Sequence, residues 1–280
     1  MIRQQSFKNN KPTLFLVATP IGNLQELSPR AIETLKSVDT ILCEDTRTTK
    51  SLLDKFEIKN NLVSYHKFNE RQMCDKVIEH LQSGQNIALV SDAGYPSISD
   101  PGNILVKEVI QQGYNVTCIN GSNALLPALV CSGLDTTHFF FYGFLDSKET
   151  AKNKELETLK NYDATLIFYE SSNRINETIK CIYKTLGNRD IVIAREITKQ
   201  YEEYIRGTTE ELSNTPLDLK GECVLLVSGL KEEKTEIDET IKETMQDLLN
   251  HGYKLKEACQ LLSKLKNINK NELYNHFIKQ

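Results

Sequence analysis

No stretch of this chain is apolar for the length a membrane-spanning helix needs. The nearest approach, LFLVATPIG at 14–22, follows Arg3, Lys8 and Lys11 and superficially mimics a secretion signal. It lacks a small-x-small cleavage site and runs straight into helix-start residues, so it reads as a first buried strand. The seven cysteines, at 43, 74, 118, 131, 181, 223 and 259, include no CxxC spacing, and their number is odd. That pattern supports neither a disulfide framework nor a zinc site. Most of them sit in apolar runs, where a thiol behaves as a small core residue, and a reducing, cytoplasmic compartment is expected. GxGxxG and GxxxxGK[ST] are also missing, which argues against a dinucleotide fingerprint and a P-loop. The formal charge of −4 rules out a globally basic nucleic-acid coat. It leaves RNA open, because a local patch suffices for phosphate contacts.

What the chain does have is an ordinary globular composition, 39% hydrophobic and 26% charged over 280 residues, enough to bury a sizeable core. Strand-like runs at 14–18, 39–43, 62–65, 87–90 and 116–119 alternate with helical patterns. Ser28-Pro29 opens the first helix, with Ser as cap and Pro at the first helical position. Further helices are expected at 46–56 and 71–81. The rhythm predicts a mainly parallel sheet covered on both faces. A second unit begins near His138, with strands at HFFFYGF, 164–170, 190–196 and 221–229 and helices at about 150–161 and 174–186. The boundary falls in the Gly/Ser/Asn-rich NGSNALLPALVCSGLDTT. After Gly229 a charged linker, LKEEKTEIDE, leads to three short helices; Asn269 with Glu272 fits a capping box on the last. Residues 251–280 carry six Lys against two Glu, so this end is locally basic.

In an open parallel sheet, ligands bind beyond the carboxyl ends of the strands. Four loops lie there: TPIGN (19–23), EDTR (44–47), SDAGYPSISDPG (91–102) and NGSNA (120–124). In the long loop, Gly94 and Gly102 permit close backbone approach and Pro96 and Pro101 fix turns; a plain connecting loop has the same composition. EDTR suits a hydroxyl-orienting group, a base or a phosphate clamp. It equally suits a helix N-terminus with acids and a surface ion pair. SYHKFNE (64–70) offers His66, Asn69 and Glu70, against the plainer reading of a solvated or structural histidine. From the second unit, Glu170, Arg174, Arg195, Glu196 and Lys199 follow apolar strands and are candidates for the same cleft, or for capping and ion pairing.

These segments, taken in order, resemble a known family. LFLVATPIGNLQELSPRAIETLK, ILCEDTRTTKSLL, SYHKFNE, ALVSDAGYPSISDPG, IFYESSNRI, AREITK and GECVLLV are similar to the RsmI family of small-subunit ribosomal RNA (cytidine-2′-O)-methyltransferases, within the tetrapyrrole methylase superfamily. The likeness runs from about residue 13 to 229. It implies two α/β lobes, 1–124 and 125–230, and a small basic helical extension at 236–280. It further implies S-adenosylmethionine (SAM) as methyl donor, no metal, a homodimer, and small-subunit (16S) ribosomal RNA as partner. Carried over position by position, SAM is expected at Pro20, Ile21, Asp92, Tyr95, Asn123, Ala124, Tyr169 and Ala194. Position and residue type suggest Glu44 or Asp45 as proton acceptor, Arg47 as a phosphate or ribose clamp, and Lys199 as a cation near the developing alkoxide. The chain departs from the family's pattern with NGSNA in place of PGPSA, ESSNR in place of ESPHR and DAGYP in place of DAGTP. Two alternatives share the fold: a SAM-dependent methylase of a tetrapyrrole or other small molecule, and a non-catalytic ribosome-assembly factor.

Overall fold

A computed structural model describes residues 1, 3–6, 8–230, 237–266 and 268–278. Two units are compact in themselves, Met1–Leu230 and Lys231–Gln280.

The larger unit is built on two five-stranded sheets. The first contains β1 (Thr13–Val17), β2 (Thr40–Cys43), β3 (Leu62–Ser64), β4 (Ile87–Leu89) and β5 (Asn115–Ile119), in the order β3-β2-β4-β1-β5. Every pairing in it is parallel. Parallel strands need crossover helices, and these are α1 (Pro29–Ser37), α2 (Thr46–Lys55), α3 (Glu70–Gln82) and α4 (Asn103–Gln111). Both faces are therefore covered, and the strands read as near-continuous apolar runs. Leu14, Leu42 and Leu89 pack on one side with Val77, Leu81 and Leu105. Val17, Ile41 and Ala88 pack on the other with Ala31, Leu35 and Leu53. Local capping agrees with the topology: the Ser28 hydroxyl accepts the Ala31 N–H and Pro29 occupies the first turn of α1.

The second sheet departs from the expected rhythm. It contains β6 (Phe139–Phe144), β7 (Thr165–Ser171), β8 (Asp190–Arg195), β9 (Glu203–Thr208) and β10 (Glu222–Val227), in the order β6-β7-β10-β8-β9. Only β6 and β7 run parallel. β10 inserts antiparallel between β7 and β8, and β9 folds back on β8 as an antiparallel edge. The connection from β8 to β9 is too short for a parallel crossover, which forces that hairpin. Helices α6 (Glu149–Leu159), α7 (Ile175–Leu186) and α8 (Thr209–Asn214) cover one face through Leu156, Ile179, Ile182 and Leu212. The other face receives α5 (Leu125–Ser132) through Ala128 and Leu129. Sequence reading took α5 for part of a boundary loop. Its Gly/Ser/Asn content is confined to the flanks, and LLPALV between them is apolar enough to fold on the sheet.

The smaller unit has its own core. Helices α9 (Glu239–Asn250), α10 (Leu255–Lys266) and α11 (Lys270–Phe277) meet through Ile241, Met245, Ala258, Cys259, Leu262 and Leu273. Asp238 caps α9 by accepting the Ile241 N–H, and Asn269 caps α11 by accepting the Asn271 N–H. The other half of the expected capping box, the Glu272 side chain, and the linker at 231–236 lie outside the described residues.

Candidate active site

The loops at the carboxyl ends of the first sheet are knitted together before they meet any ligand. Thr19 and Gly94 exchange backbone hydrogen bonds of 2.9 and 3.0 Å, joining TPIGN to the long loop. The Thr19 hydroxyl adds a bond to the Ser91 carbonyl. The Gly121 N–H donates to the Tyr95 hydroxyl at 3.1 Å, so the tyrosine of DAGYP clasps the long loop to NGSNA. Asn123 accepts the Leu126 N–H at 2.8 Å and so caps the start of α5. Two departures from the family's pattern, Tyr95 and Asn123, thus serve as ties in the loop cluster.

Above these loops opens a cavity of about 750 Å³. Ile21, Asp92, Tyr95, Asn123 and Ala124 line it from the first sheet's loops, with Tyr169 on β7 and Ala194 on β8. Seven of the eight positions expected to hold SAM are brought together here. The eighth, Pro20, lines a neighbouring groove of about 760 Å³ that shares Asp92 with the cavity. Sequence reading missed the aromatic wall. Tyr169 meets Phe141 and Phe144 edge-on, with ring centroids 4.8 and 5.6 Å apart. HFFFYGF signalled a strand, and alternation along β6 was the available clue that Phe141 faces the cavity.

The four residues proposed for chemistry separate. Glu44 and Lys199 line the cavity, whereas Asp45 and Arg47 line the groove. Asp45 is the N-cap of α2, accepting the Arg47 N–H at 2.8 Å, and it receives the Arg47 guanidinium at 2.8 and 3.2 Å. These bonds hold its carboxyl down at about 2, which makes Asp45 a weak proton acceptor at neutral pH. Lys199 lies between Glu196 and Glu222, 2.9 Å from each. Burial opposes its charge, yet the two carboxylates prevail and keep the ammonium above its usual value. The lysine stem crosses Gly22, where any Cβ would fall 2.5 Å from Lys199 Cγ on a backbone with φ of +144°. Only glycine fits there, so the TPIGN loop and the AREITK turn close on each other at this point.

Another long-loop carboxylate stands with Glu44 and Asp92 in the cavity. Asp100 stands near the far end of the long loop, and burial, reinforced by the charges of Glu44 and Asp92, raises its pKa to about 6. It is the second acid of SDAGYPSISDPG, and its spacing eight residues after Asp92 was the visible signal. Strained backbone borders the same space: Ser97, Ser99, Glu196 and Thr198 all have positive φ, between 50 and 71°. Such conformations persist where surrounding structure over-determines them, and they concentrate at functional sites. Of the other candidates, Glu170 and Glu196 line the cavity. Arg174 pairs with Glu170 at 3.1 Å and Arg195 with Glu203 at 3.0 Å. Glu170, buried, also accepts the Thr178 hydroxyl, which in turn accepts from the buried Lys152 ammonium at 2.9 Å. Among the described residues no group of three or more His, Cys, Asp or Glu is arranged to hold a metal ion.

Two α/β sheets, with an aromatic and acidic cavity walled by the strand ends of both, define a two-lobed ligand-binding α/β protein. The tetrapyrrole (corrin/porphyrin) methylase family model matches residues 13–213, and the chain belongs to that family. Among curated proteins it is similar to the ribosomal RNA small subunit methyltransferase I of Bacillus subtilis, 45% identical with 99% of each chain covered. The protein of the same name from Streptococcus pyogenes serotype M1 is 41% identical, with 98% of each covered. Among solved structures, diphthine synthase aligns with a TM-score of 0.60 at 13% identity, covering 78% of this chain and 90% of that one. A uroporphyrin-III C-methyl transferase from Thermus thermophilus, complexed with S-adenyl homocysteine, aligns with a TM-score of 0.53 at 17% identity, covering 78% and 97%. These two likenesses concern the fold.

Proposed function

We propose that this chain is a SAM-dependent methyltransferase that methylates the ribose 2′-oxygen of a cytidine in small-subunit (16S) ribosomal RNA. The observation that carries the reading is the chemistry of the cavity. Glu44, Asp92 and Asp100 are among six carboxylates that line it, against a single lysine, Lys199, already paired with Glu196 and Glu222, and Phe141, Phe144 and Tyr169 form an apolar and aromatic wall. Opposite charges and ring faces both favour a cation such as a sulfonium, while flat apolar surface suits an adenine. The volume lies within the range of small-molecule sites. The near full-length relatives named as ribosomal RNA small subunit methyltransferases supply the substrate class.

SAM supplies an electrophilic methyl group whose transfer to a hydroxyl oxygen leaves a thioether and a proton to be removed. The residues present divide that work. Ile21, Tyr95, Ala124, Tyr169 and Ala194 enclose the cofactor and exclude water, while Asp92 accepts hydrogen bonds from its polar groups. Glu44 faces the cavity and serves as proton acceptor. Asp45, committed to Arg47, positions that guanidinium over the groove, where it clamps a phosphate or ribose. Lys199, already shared by two carboxylates, braces the loop closure and carries little charge to spare for an alkoxide. Restraining the hydroxyl in line with the methyl is worth several orders of magnitude in such a displacement.

The protein acts as a homodimer. On α5, Leu126 and Val130 are 47% and 69% exposed on a helix that is apolar all round. Reduced thiols fit a cytoplasmic setting, since the cysteines make no disulfide. No described helix is long and apolar enough to cross a membrane. The exposed lysines at 254, 256, 264, 266 and 270 of the smaller unit contact RNA phosphates.

The discriminating experiment offers labelled SAM and purified protein to small ribosomal subunits and, separately, to uroporphyrinogen. Label in the ribosomal RNA alone is expected. Label in the tetrapyrrole alone selects the small-molecule alternative, and failure to bind SAM selects the assembly factor.

A further inference from the structure

After β3 the chain makes a turn whose geometry is fixed from within. The Asn69 N–H donates to the His66 carbonyl at 3.0 Å, the His66 N–H donates to the Asn69 side-chain oxygen at 2.8 Å, and the Asn69 amide donates to the Ser64 carbonyl at 3.0 Å. The next residue, Glu70, is buried. One of its oxygens accepts both the Tyr65 hydroxyl, at 2.8 Å, and the Gly102 N–H, at 2.9 Å. The turn is therefore bolted to the loop that carries Asp92 and Asp100. It is also beside EDTR: β3 pairs with β2, and the Tyr65 N–H donates to the Cys43 carbonyl at 2.8 Å, one residue before Glu44.

At the apex of this anchored turn stands Phe68, 95% exposed and, apart from Met1, the most exposed large apolar side chain among the described residues. Among the described residues its one ring neighbour is His66, edge-on at 6.0 Å. Lys67 and Arg71 flank it, both exposed, and neither makes an ion pair among the described residues. Lys50 and Lys55 of α2, which share a shallow surface depression with Arg47, are likewise exposed and make no ion pair among the described residues. A solvated phenylalanine contributes nothing to the folded state, and a rigid turn cannot tuck it away. A flat apolar face with cations on either side matches an unstacked nucleobase with its two phosphates. An apolar protein partner has no use for the cations.

We propose that Phe68 is a stacking platform for an unpaired base of the RNA substrate, with Lys67 and Arg71 taking the adjoining phosphates. The choice of RNA rests on the methyltransferase reading above. The turn's position at the strand edge next to Glu44 and Arg47 places the stacked base beside the nucleotide that enters the cavity, so it holds substrate in register.

The test uses the full-length protein and small ribosomal subunits from cells lacking it, with subunit affinity and methyl transfer read separately. Phe68→Ala is expected to weaken subunit binding about tenfold, in the range of losing one base–aromatic stack. Phe68→Tyr should stay near the parent. Phe68→Leu, apolar but not flat, should fall with alanine, and SAM affinity should be the same in all four proteins. Unchanged binding by Phe68→Ala overturns the proposal. So does full rescue by Phe68→Leu, which would mark a generic apolar contact, and so does a parent protein that does not bind subunits. Phe68-dependent binding without any methyl transfer would instead sink the methyltransferase reading and leave the stacking platform standing.

Discussion

Asp100 shows how much of the site's character resides in single groups. Its carboxyl titrates near 6, against 3.8 when free, because burial and the charges of Glu44 and Asp92 disfavour its ionised form. Between those two values the folded chain binds more protons than the unfolded one, so stability falls as pH rises through that window. Above it, an ionised Asp100 burdens the fold until a cation arrives. Asp100→Asn is therefore expected to melt higher than the parent at pH 7.5, with the difference vanishing below pH 4. A gap of equal size at both pH values would mean that ionisation is not the cause. Asp92 and Arg47 separate binding from turnover. Asp92→Ala should weaken SAM binding by about 1.5–3 kcal/mol, as expected for a bond to a charged acceptor. Because Asp92 also accepts the Asp45 N–H at 3.3 Å, Asp92→Asn is the control that keeps an acceptor there. Arg47→Ala should leave SAM affinity intact and depress methyl transfer. Calorimetry beside a transfer assay decides both, and equal losses in both readouts for Arg47→Ala would put that residue in the cofactor site or the fold.

At the scale of elements, the loop 91–102 depends on what grips its ends. Gly102 has φ of +140°, and a Cβ there would run into Ser97 and Leu89, so the loop closes on itself before α4 begins. Glu70 then holds the Gly102 N–H. Since a single oxygen accepts both bonds, Glu70→Gln should keep SAM affinity close to the parent, whereas Glu70→Ala should lower both stability and SAM affinity. Equal SAM affinity in the parent and Glu70→Ala would show that the loop holds its shape unaided. Much of this was legible in the sequence. Buried parallel strands announce themselves as short apolar runs, and the turn residues after them mark the ligand edge, so β1 to β5 and most of the cavity positions were readable. The antiparallel insertion of β10 was not, because an apolar run carries no direction. β9 and α5 were missed for opposite reasons: EYIRGT is a half-exposed edge strand with little apolar signal, and LLPALV is apolar without helical periodicity. The division between Glu44 and Asp45 was equally hidden. Adjacent acids look alike in sequence, and only the start of α2 turns one into a cap and leaves the other facing the cavity.

For the whole molecule, cofactor binding is expected to reside in Met1–Leu230 and part of the RNA affinity in the helices beyond it. The smaller unit buries its own core around Ile241, Cys259 and Leu262 and presents lysines outward, with no glycine-rich turn to cradle a cofactor. A chain ending at Leu230 should bind SAM as the full protein does, lose affinity for small subunits, and show a shallower dependence of binding on salt. Unchanged transfer to subunits across a salt series would remove this unit from recognition. The atom expected to receive the methyl group is a ribose 2′-oxygen. Ribosomal RNA from cells with and without this protein, digested and mapped by mass spectrometry, decides where the methyl group lands. One cytidine of the small-subunit RNA is expected to carry a 2′-O-methyl group only when the protein is present. Identical modification maps, or a lost methyl that maps to a base and not to ribose, would contradict it.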